Sequence, residues 1–439
     1  MTTEDERRAA AHPARVALAS FIGTAIEWYD FFLFGAAATL IFNRQFFPTL
    51  SPVAGTLAAL ATFGVAFVAR PVGGLVFGHF GDRIGRKRML VLSLVLMGGA
   101  TTAIGLLPTY AQVGVAAPML LVLARMVQGF AVGGEWGGAV LMAVEHAPPG
   151  RRAFFGGFPQ AGVPAGLVLS SAAFLAVQQL PADQLAEWGW RLPFLASLVL
   201  VLLGLYVRLR IVESPDFQRV RDTCTVSRFP LRDVLTGSPR ALLVGIATQA
   251  ASNVPFYLVS VFVLSYGPAE VGVSRDVILL CLLVACVLDL ATVPIAAALA
   301  DRIGRRAMLT AGAGYMASVA FPFFWLFDTG NPWAILLAML LVITVGHAVT
   351  YAAIAGFLAE IFPARLRYTG ASAAYQVGGM VTSGPAPFLA VALVGMGGGS
   401  WPIALYIVLA CAVTFLALRA APPAQVDSSA AARRAGVLR

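Results

Sequence analysis

Charged residues are scarce in this sequence of 439 residues. They make up 12% of the chain, whereas soluble domains carry about 25%. A soluble protein so poor in charge could not cover its surface, which excludes a soluble enzyme, a nucleic-acid-binding protein and a disordered chain. Lipid must therefore be the solvent for much of the surface.

Cysteines are also few, and their positions exclude a zinc site or a disulfide framework. The four cysteines are Cys224, Cys281, Cys286 and Cys411, and they show no metal-ligand spacing. We expect buried thiols, no metal and no cofactor.

Apolar residues, by contrast, are abundant at 59%, against roughly 45–50% in soluble domains. They form twelve runs, each long enough for the ~20 residues of a bilayer span. The pattern predicts an all-α membrane protein with twelve transmembrane helices in two pseudo-symmetric six-helix bundles. The predicted segments are a cytoplasmic N-terminus (1–15), a first bundle (16–210), a central loop (211–238), a second bundle (239–420) and a cytoplasmic tail (421–439).

The basic residues are distributed asymmetrically. Of the 30 lysines and arginines, 25 fall on one side of the predicted membrane and three on the other. This bias places both termini in the cytoplasm of a multi-pass cell-membrane protein. Arg208 is counted among the cytoplasmic residues, whereas Arg70 and Arg125 lie within spans.

The chain repeats a loop sequence at half its length. The segment 82–87, Asp-Arg-Ile-Gly-Arg-Lys, recurs at 301–306 as Asp-Arg-Ile-Gly-Arg-Arg. Such duplicated bundles rock about a midplane site in many transporters, so these loops are predicted to gate the transport path; a plain topogenic charge cluster is the alternative. The predicted gating residues are Gly78, Asp82, Arg83, Gly85, Arg86, Glu145, Asp301, Arg302, Arg305 and Glu360.

Several motifs together resemble one transporter family. They are 78–87 (GHFGDRIGRK), 121–129 (LVLARMVQG), 23–31 (GTAIEWYDF), 133–138 (GGEWGG), 213–215 (ESP) and 367–370 (RYTG). The chain resembles the major facilitator superfamily, and within it the metabolite:proton symporters that carry shikimate, α-ketoglutarate, citrate, or proline and betaine. Thr24 stands where several members have asparagine.

The resemblance implies a monomeric secondary transporter with three partners, a small-molecule substrate, protons and the lipid bilayer, and no nucleic acid. We expect proton-coupled uptake of a small organic acid or related polar metabolite by alternating access. The alternatives are a symporter of a zwitterionic osmolyte such as proline or betaine, and an exporter.

Four charged residues inside predicted spans are candidates for proton coupling: Glu27, Asp30, Arg125 and Glu135. A charge at mid-bilayer costs at least ~2.5–3.5 kcal/mol, so these side chains should face the bundle interior. Glu27 and Asp30 are three apart and share a helix face, where burial and like charge favour a protonated carboxyl. The alternatives are structural hydrogen-bond acceptors, and a permanent salt bridge from Arg125 to Glu27 or Asp30.

Arg125 cannot deprotonate and so offers a fixed cation for an organic acid. Aromatic and polar residues at similar depth are the other candidates for a substrate cavity, although each could equally pack between helices. The predicted substrate-binding residues are Trp28, Tyr29, Arg125, Gln160, Asn253, Tyr257, His347, Tyr351 and Gln376. Gly129, Gly133 and Gly137 predict close approach of a neighbouring helix.

Overall fold

The chain folds into helices throughout the part that the computed structural model describes. The described residues are 13–84, 86–148, 151–209, 230–362, 367–396 and 399–423. No strand occurs within these ranges. An all-helical fold is expected of a chain in lipid, because each backbone polar group must find its partner inside its own segment.

Among the described residues, twelve helical spans are long and apolar enough to cross a membrane, which confirms the predicted number. The first six are α1 (Pro13–Gln45), α2 (Pro52–Phe77), α3 (Lys87–Leu106), α4 (Ala116–Val144), α5 (Ala153–Val177) and α6 (Arg191–Leu209). The second six are α7 (Pro239–Val271), α8 (Arg275–Ile303), α9 (Arg305–Phe327), α10 (Pro332–Leu358), α11 (Thr369–Gly395) and α12 (Trp401–Arg419).

Several spans depart from regular α-helix geometry. The helix of α2 runs over Pro52–Ile84 and contains Pro71. Wide π-type turns are frequent at functional sites. They interrupt α1 at Ala38–Phe42, α7 at Leu258–Phe262 and Gly267–Val271, and α10 at Leu340–His347.

Two further spans each consist of two consecutive helices. The α4 span consists of Ala116–Gly133 and Glu135–Glu145, and α11 of Arg367–Thr382 and Ala386–Gly395. Short helices outside the spans cover Tyr110–Val113, Ala182–Gln184 and Pro230–Gly237.

Large apolar side chains cover the outside of the bundle. Trp325, Trp333 and Met396 are among the most exposed, at 70%, 79% and 82%. Such a surface would be costly in water and suits contact with lipid chains.

The two halves of the molecule meet along two helix pairs, α5 with α8 and α2 with α11. Within the first half, α1 packs on α5 and α2 on α4. The approach of α2 to α4 depends on glycine, because a Cβ at Gly129 or Gly133 would collide with the carbonyl oxygen of Ala66 or Arg70. The predicted close approach at Gly129 and Gly133 is confirmed, and it fixes the position of Arg70.

Candidate functional site

Two small pockets lie between the halves of the molecule and share a wall formed by Trp28, Arg70 and Tyr375. The histidine pocket is further lined by Val163, Gln249, Asn253, Phe256, Tyr257, His347, Tyr351, Gly379 and Ser383. The glutamate pocket is further lined by Thr24, Glu27, Val132, Trp136, Ala139, Pro159 and Gln376. Each has room for about one water molecule, so a metabolite can enter only if helices move.

Arg70 is a buried cation without a carboxylate partner in the described part of the chain. Its side chain is 3% exposed. Its guanidinium lies 4.3 Å from the ring centre of Phe67, 4.4 Å from Phe31 and 5.4 Å from Trp28. Its Nε and Nη2 atoms have no hydrogen-bond partner among the residues that the structure describes. Aromatic faces stabilise the charge, while the unpaired N–H groups remain available to an acceptor.

Glu27 lines the glutamate pocket together with Arg70. It is 3% exposed and forms no hydrogen bond or ion pair with any described residue. Arg70, Arg208 and Asp30 are the charged groups close enough to act on it electrostatically. The pocket therefore holds an arginine and a glutamate that are near each other but not paired.

Asp30 faces away from both pockets. It is 1% exposed, and its Oδ1 atom accepts a hydrogen bond of 2.6 Å from Ser197 Oγ on α6. Its Oδ2 atom has no partner. Glu27 and Asp30 thus sit on one helix, as the sequence predicts, but only Glu27 faces the cavity.

Arg125 is fully buried and lines neither pocket. Its Nη1 donates to Gln128 Oε1 at 2.7 Å and its Nη2 to the Phe63 carbonyl at 3.3 Å. Its guanidinium lies 3.9 Å from the ring centre of Phe34. No carboxylate of the described chain pairs with it, so the alternative of a salt bridge to Glu27 or Asp30 is wrong.

Glu135 forms a buried ion pair with Arg208, which joins α4 to α6. The same guanidinium donates to the Leu90 carbonyl, and Ser93 Oγ lies 3.5 Å from the other Glu135 oxygen. Arg208 is 4% exposed; it is therefore a core residue and not one of the loop cations among which the sequence analysis counted it. The absence of a side chain at Gly23 leaves the space that its guanidinium fills.

His347, which lines the histidine pocket, forms a buried pair with Asp289 behind it. His347 Nδ1 lies 2.8 Å from Asp289 Oδ2, and the two side chains are 2% and 0% exposed. The imidazole stacks between Phe256 and Tyr351, with ring centres 4.1 and 4.7 Å away. These contacts hold the ring in one orientation.

The model of the Major Facilitator Superfamily matches residues 20–372 and 268–438 of the chain. The chain belongs to the major facilitator superfamily. It is 42% identical over 404 residues to the shikimate transporter of Escherichia coli (strain K12), covering 91% of this chain and 92% of that one. It is 34% identical over 386 residues to a proline/betaine transporter of Salmonella typhimurium (strain LT2), covering 86% and 77%.

A solved structure of XylE from E. coli, a proton:xylose symporter of the same superfamily, matches with a TM-score of 0.72 at 18% identity, over 93% of this chain and 94% of that one. At that identity the likeness shows the fold alone. Together the comparisons establish that this chain is a multi-pass transporter of the superfamily and not an enzyme.

Six of the nine predicted substrate-binding residues of this superfamily member line the pockets: Trp28, Asn253, Tyr257, His347, Tyr351 and Gln376. The other three do not. Tyr29 donates to the Pro193 carbonyl at 2.7 Å, and Gln160 accepts from Trp136 Nε1 at 3.1 Å and donates to the Tyr351 carbonyl at 3.2 Å. The hydrogen bonds of Tyr29 and Gln160 hold neighbouring helices together, and Arg125 is buried outside both pockets.

Three pocket residues, Arg70, Gln249 and Tyr375, were not predicted from the sequence. An arginine in the middle of the apolar run of α2 is the one signal that could have found the site. Tyr375 stacks on Trp136 with ring centres 3.9 Å apart, and nothing in the sequence links these two positions, which belong to different halves.

Contacts between the halves lie on both sides of the pockets. On the side of the repeated loops, Asp301 Oδ2 accepts hydrogen bonds of 3.1 and 3.3 Å from the backbone N–H groups of Ala153 and Phe154, at the start of α5. On the other side, Phe31 lies 6.4 Å from Tyr257 between ring centres, and Arg275 donates to the Leu40 carbonyl at 3.4 Å.

The second copy of the repeated loop forms a network of charges. Arg305 pairs with Asp301 at 3.0 Å and also with Glu360, while Arg302 is exposed. In the first copy, Gly85 and the side chains of Asp82, Arg83, Arg86 and Glu145 lie outside the described residues, and of Gly78 only the helical backbone is described.

Proposed function

We propose that this transporter takes up a small organic acid across the cell membrane, driven by the proton gradient and without another cofactor. The observation that carries the proposal is the unpaired couple of Arg70 and Glu27 on one buried pocket. Arg70 can bind an anion and Glu27 can carry a proton, and the two side chains are near enough to interact electrostatically.

Arg70 is suited to hold a carboxylate. A guanidinium presents a planar fork of donors that matches the two oxygens of a carboxylate, and its Nε and Nη2 atoms are unpaired. The surrounding rings of Trp28, Phe31 and Phe67 exclude water, which strengthens the attraction for an anion. This residue replaces Arg125 as the cation that we assign to the substrate.

Coupling follows from competition for the charge of Arg70. Arg208 is already paired with Glu135, so Glu27 depends largely on Arg70 for a positive neighbour. A substrate carboxylate bound at Arg70 neutralises the positive charge on which Glu27 depends. An ionised Glu27 would then be a second buried anion beside the substrate, which is costly. Substrate binding therefore favours protonation of Glu27, and the proton and the acid cross together.

Alternating access requires the contacts on the two sides of the pockets to open in turn. The Asp301 contact with the start of α5 closes one side, and the aromatic contacts of Tyr257 with Phe31 and Phe63 close the other. We assign the repeated-loop side to the cytoplasm, where both termini would lie, and a monomer contains every group that the cycle uses.

A zwitterionic osmolyte is the second candidate. Proline and betaine also carry a carboxylate, and the rings of Trp28, Tyr257, Tyr351 and Tyr375 around the pockets could attract a quaternary ammonium group. The resemblance to a proline/betaine transporter supports this candidate, and the greater identity to a shikimate transporter supports the acid. Export in place of uptake would use the same pocket with the opposite sense of coupling.

Transport into proteoliposomes tests the proposal. Labelled shikimate, proline and glycine betaine are offered with an imposed gradient, acidic outside, and again with equal pH on both sides. We expect the gradient to drive accumulation of the acid above its outside concentration. Accumulation of betaine alone would favour the second candidate, and transport indifferent to the gradient would contradict proton symport.

A further inference from the structure

The histidine pocket contains polar groups that the carboxylate at Arg70 does not use. The hydroxyl of Tyr257 and the side-chain oxygen Oε1 of Gln249 are buried and have no hydrogen-bond partner among the described residues. His347 bonds to Asp289 through Nδ1, and its Nε2 atom has no hydrogen bond to any described residue. All three residues line this pocket together with Arg70.

Buried polar groups without partners are rare in folded proteins, because each costs about 1–3 kcal/mol. Two of them, Tyr257 Oη and Gln249 Oε1, lie on one pocket and indicate a ligand that can satisfy them. Gln249 Oε1 can only accept a hydrogen bond, and a tyrosine hydroxyl can donate or accept. A ligand hydroxyl also does both, whereas a methyl or methylene group satisfies none of them.

The geometry of the neighbours indicates that these groups are held in place. Gln249 Nε2 donates to the Ala374 carbonyl at 2.8 Å, which leaves Oε1 free to accept. Asp289 fixes the imidazole through Nδ1, and no arginine or lysine of the described chain pairs with Asp289. Asp289 is thus a positioning residue that acts through His347.

We infer that the histidine pocket recognises hydroxyl groups, so that the substrate is a hydroxylated carboxylic acid held at two points. Arg70 binds the carboxylate, and Tyr257, Gln249 and His347, which line the same pocket, bind one or more hydroxyls of the same molecule. The inference rests on the proposed uptake of an organic acid and narrows its substrate class. It also argues against glycine betaine, which has no hydroxyl group.

Competition binding tests the inference on the full-length protein in detergent. Bound labelled shikimate is displaced by unlabelled shikimate and by cyclohex-1-ene-1-carboxylate, the same ring acid without hydroxyls. We expect the deoxy acid to bind roughly 10- to 100-fold more weakly, since each unsatisfied polar group costs about 1–3 kcal/mol. Two further pairs compare a hydroxylated acid with its deoxy partner: quinate with cyclohexanecarboxylate, and lactate with propionate. If shikimate does not bind, labelled quinate or lactate takes its place.

Tyr257→Phe removes the hydroxyl and keeps the ring, and Asp289→Asn removes the group that positions His347. Both should weaken binding of the hydroxylated acid about tenfold and leave binding of the deoxy acid unchanged. Tyr266→Phe is the matched control on the same helix, because its hydroxyl donates to Asp328 away from the pocket; it should keep the full discrimination.

Wild-type protein that binds every deoxy acid as tightly as its hydroxylated partner overturns the inference, whatever the variants do, and leaves acid transport standing. Binding of none of the acids, with binding of proline or betaine, contradicts the proposed function itself. Equal weakening of both acids in Tyr257→Phe would show a structural role and also overturn the inference.

Discussion

Arg70 and Glu27 line the same buried pocket without forming an ion pair. Two opposite charges at such depth usually pair, since their mutual attraction offsets part of the cost of burial. In this protein the buried pairing is made by Glu135 and Arg208 instead. A carrier of an anion and a proton requires such unpaired groups. Arg70 must bind and release the anion in each cycle, and Glu27 must bind and release the proton.

The first prediction concerns Arg70. We expect Arg70→Gln to raise the KM for the transported acid roughly tenfold or more, since a hydrogen bond to a charged group contributes about 1.5–3 kcal/mol. Arg88→Gln, at an exposed cation on α3, is the control and should behave as wild type. Initial rates of uptake into proteoliposomes measure both. An unchanged KM in a well-inserted Arg70→Gln protein would show that the anion binds elsewhere.

The second prediction concerns the ion pair of Glu135 and Arg208. Glu135→Gln leaves the guanidinium buried without its partner, and breaking a buried pair costs roughly 3–5 kcal/mol. We therefore expect a clear fall in the melting temperature of the purified protein. The double variant Glu135→Gln, Arg208→Met removes both charges and should recover most of the loss. Equal melting of Glu135→Gln and wild type would argue against a structural role and return Glu135 to the candidates for proton coupling.

The third prediction concerns the contact of Asp301 with the start of α5. Asp301→Asn weakens the acceptor for the N–H groups of Ala153 and Phe154 and should slow net transport while the protein stays folded. Asp276→Asn, at the exposed far end of α8, is the control. The same change at Asp82 is expected to act likewise on the first copy of the loop. Wild-type rates in Asp301→Asn would remove this contact from the gate.

The fourth prediction concerns the packing of α2 on α4. Gly133→Ala places a methyl group against the carbonyl of Arg70, and overpacking of this kind costs typically about 1–3 kcal/mol. We expect a lower melting temperature and reduced substrate binding, because the shift displaces Arg70. Gly99→Ala, where the added methyl group would meet no other described part of the protein within 4 Å beyond its own stretch of helix, should change neither. Normal binding by a stable Gly133→Ala protein would contradict the link between this packing and the site.

The number of spans and the buried position of the charged residues of α1 and α4 could be predicted from the sequence, because apolar runs and the cost of charge in lipid are local properties. Partners could not be predicted in the same way. Arg208 reads as a loop cation at the end of its run, and only the packing of α6 on α3 and α1 turns it inward to Glu135. Arg125 and Arg70 are both arginines within apolar runs, so the sequence does not distinguish them. The rotation of each helix about its axis places only Arg70 on a pocket.

Asp30 illustrates the same limit. Its spacing from Glu27 predicts a shared face, and the sequence analysis therefore gave both residues the proton. The face is wide enough for one carboxylate to meet Ser197 on α6 while the other lines the pocket. The proton role of either residue is still a prediction, and the structure favours Glu27.

Paired transport assays on Glu27→Gln test the central claim most directly. Uphill uptake driven by a pH gradient needs the proton site, whereas exchange of labelled for unlabelled acid between equal pools needs no net proton movement. We predict that Glu27→Gln loses the uphill uptake and keeps the exchange, while Asp30→Asn, the matched carboxylate on α1, keeps more of both. Accumulation of the acid by Glu27→Gln against its gradient, as far as wild type, would contradict the account.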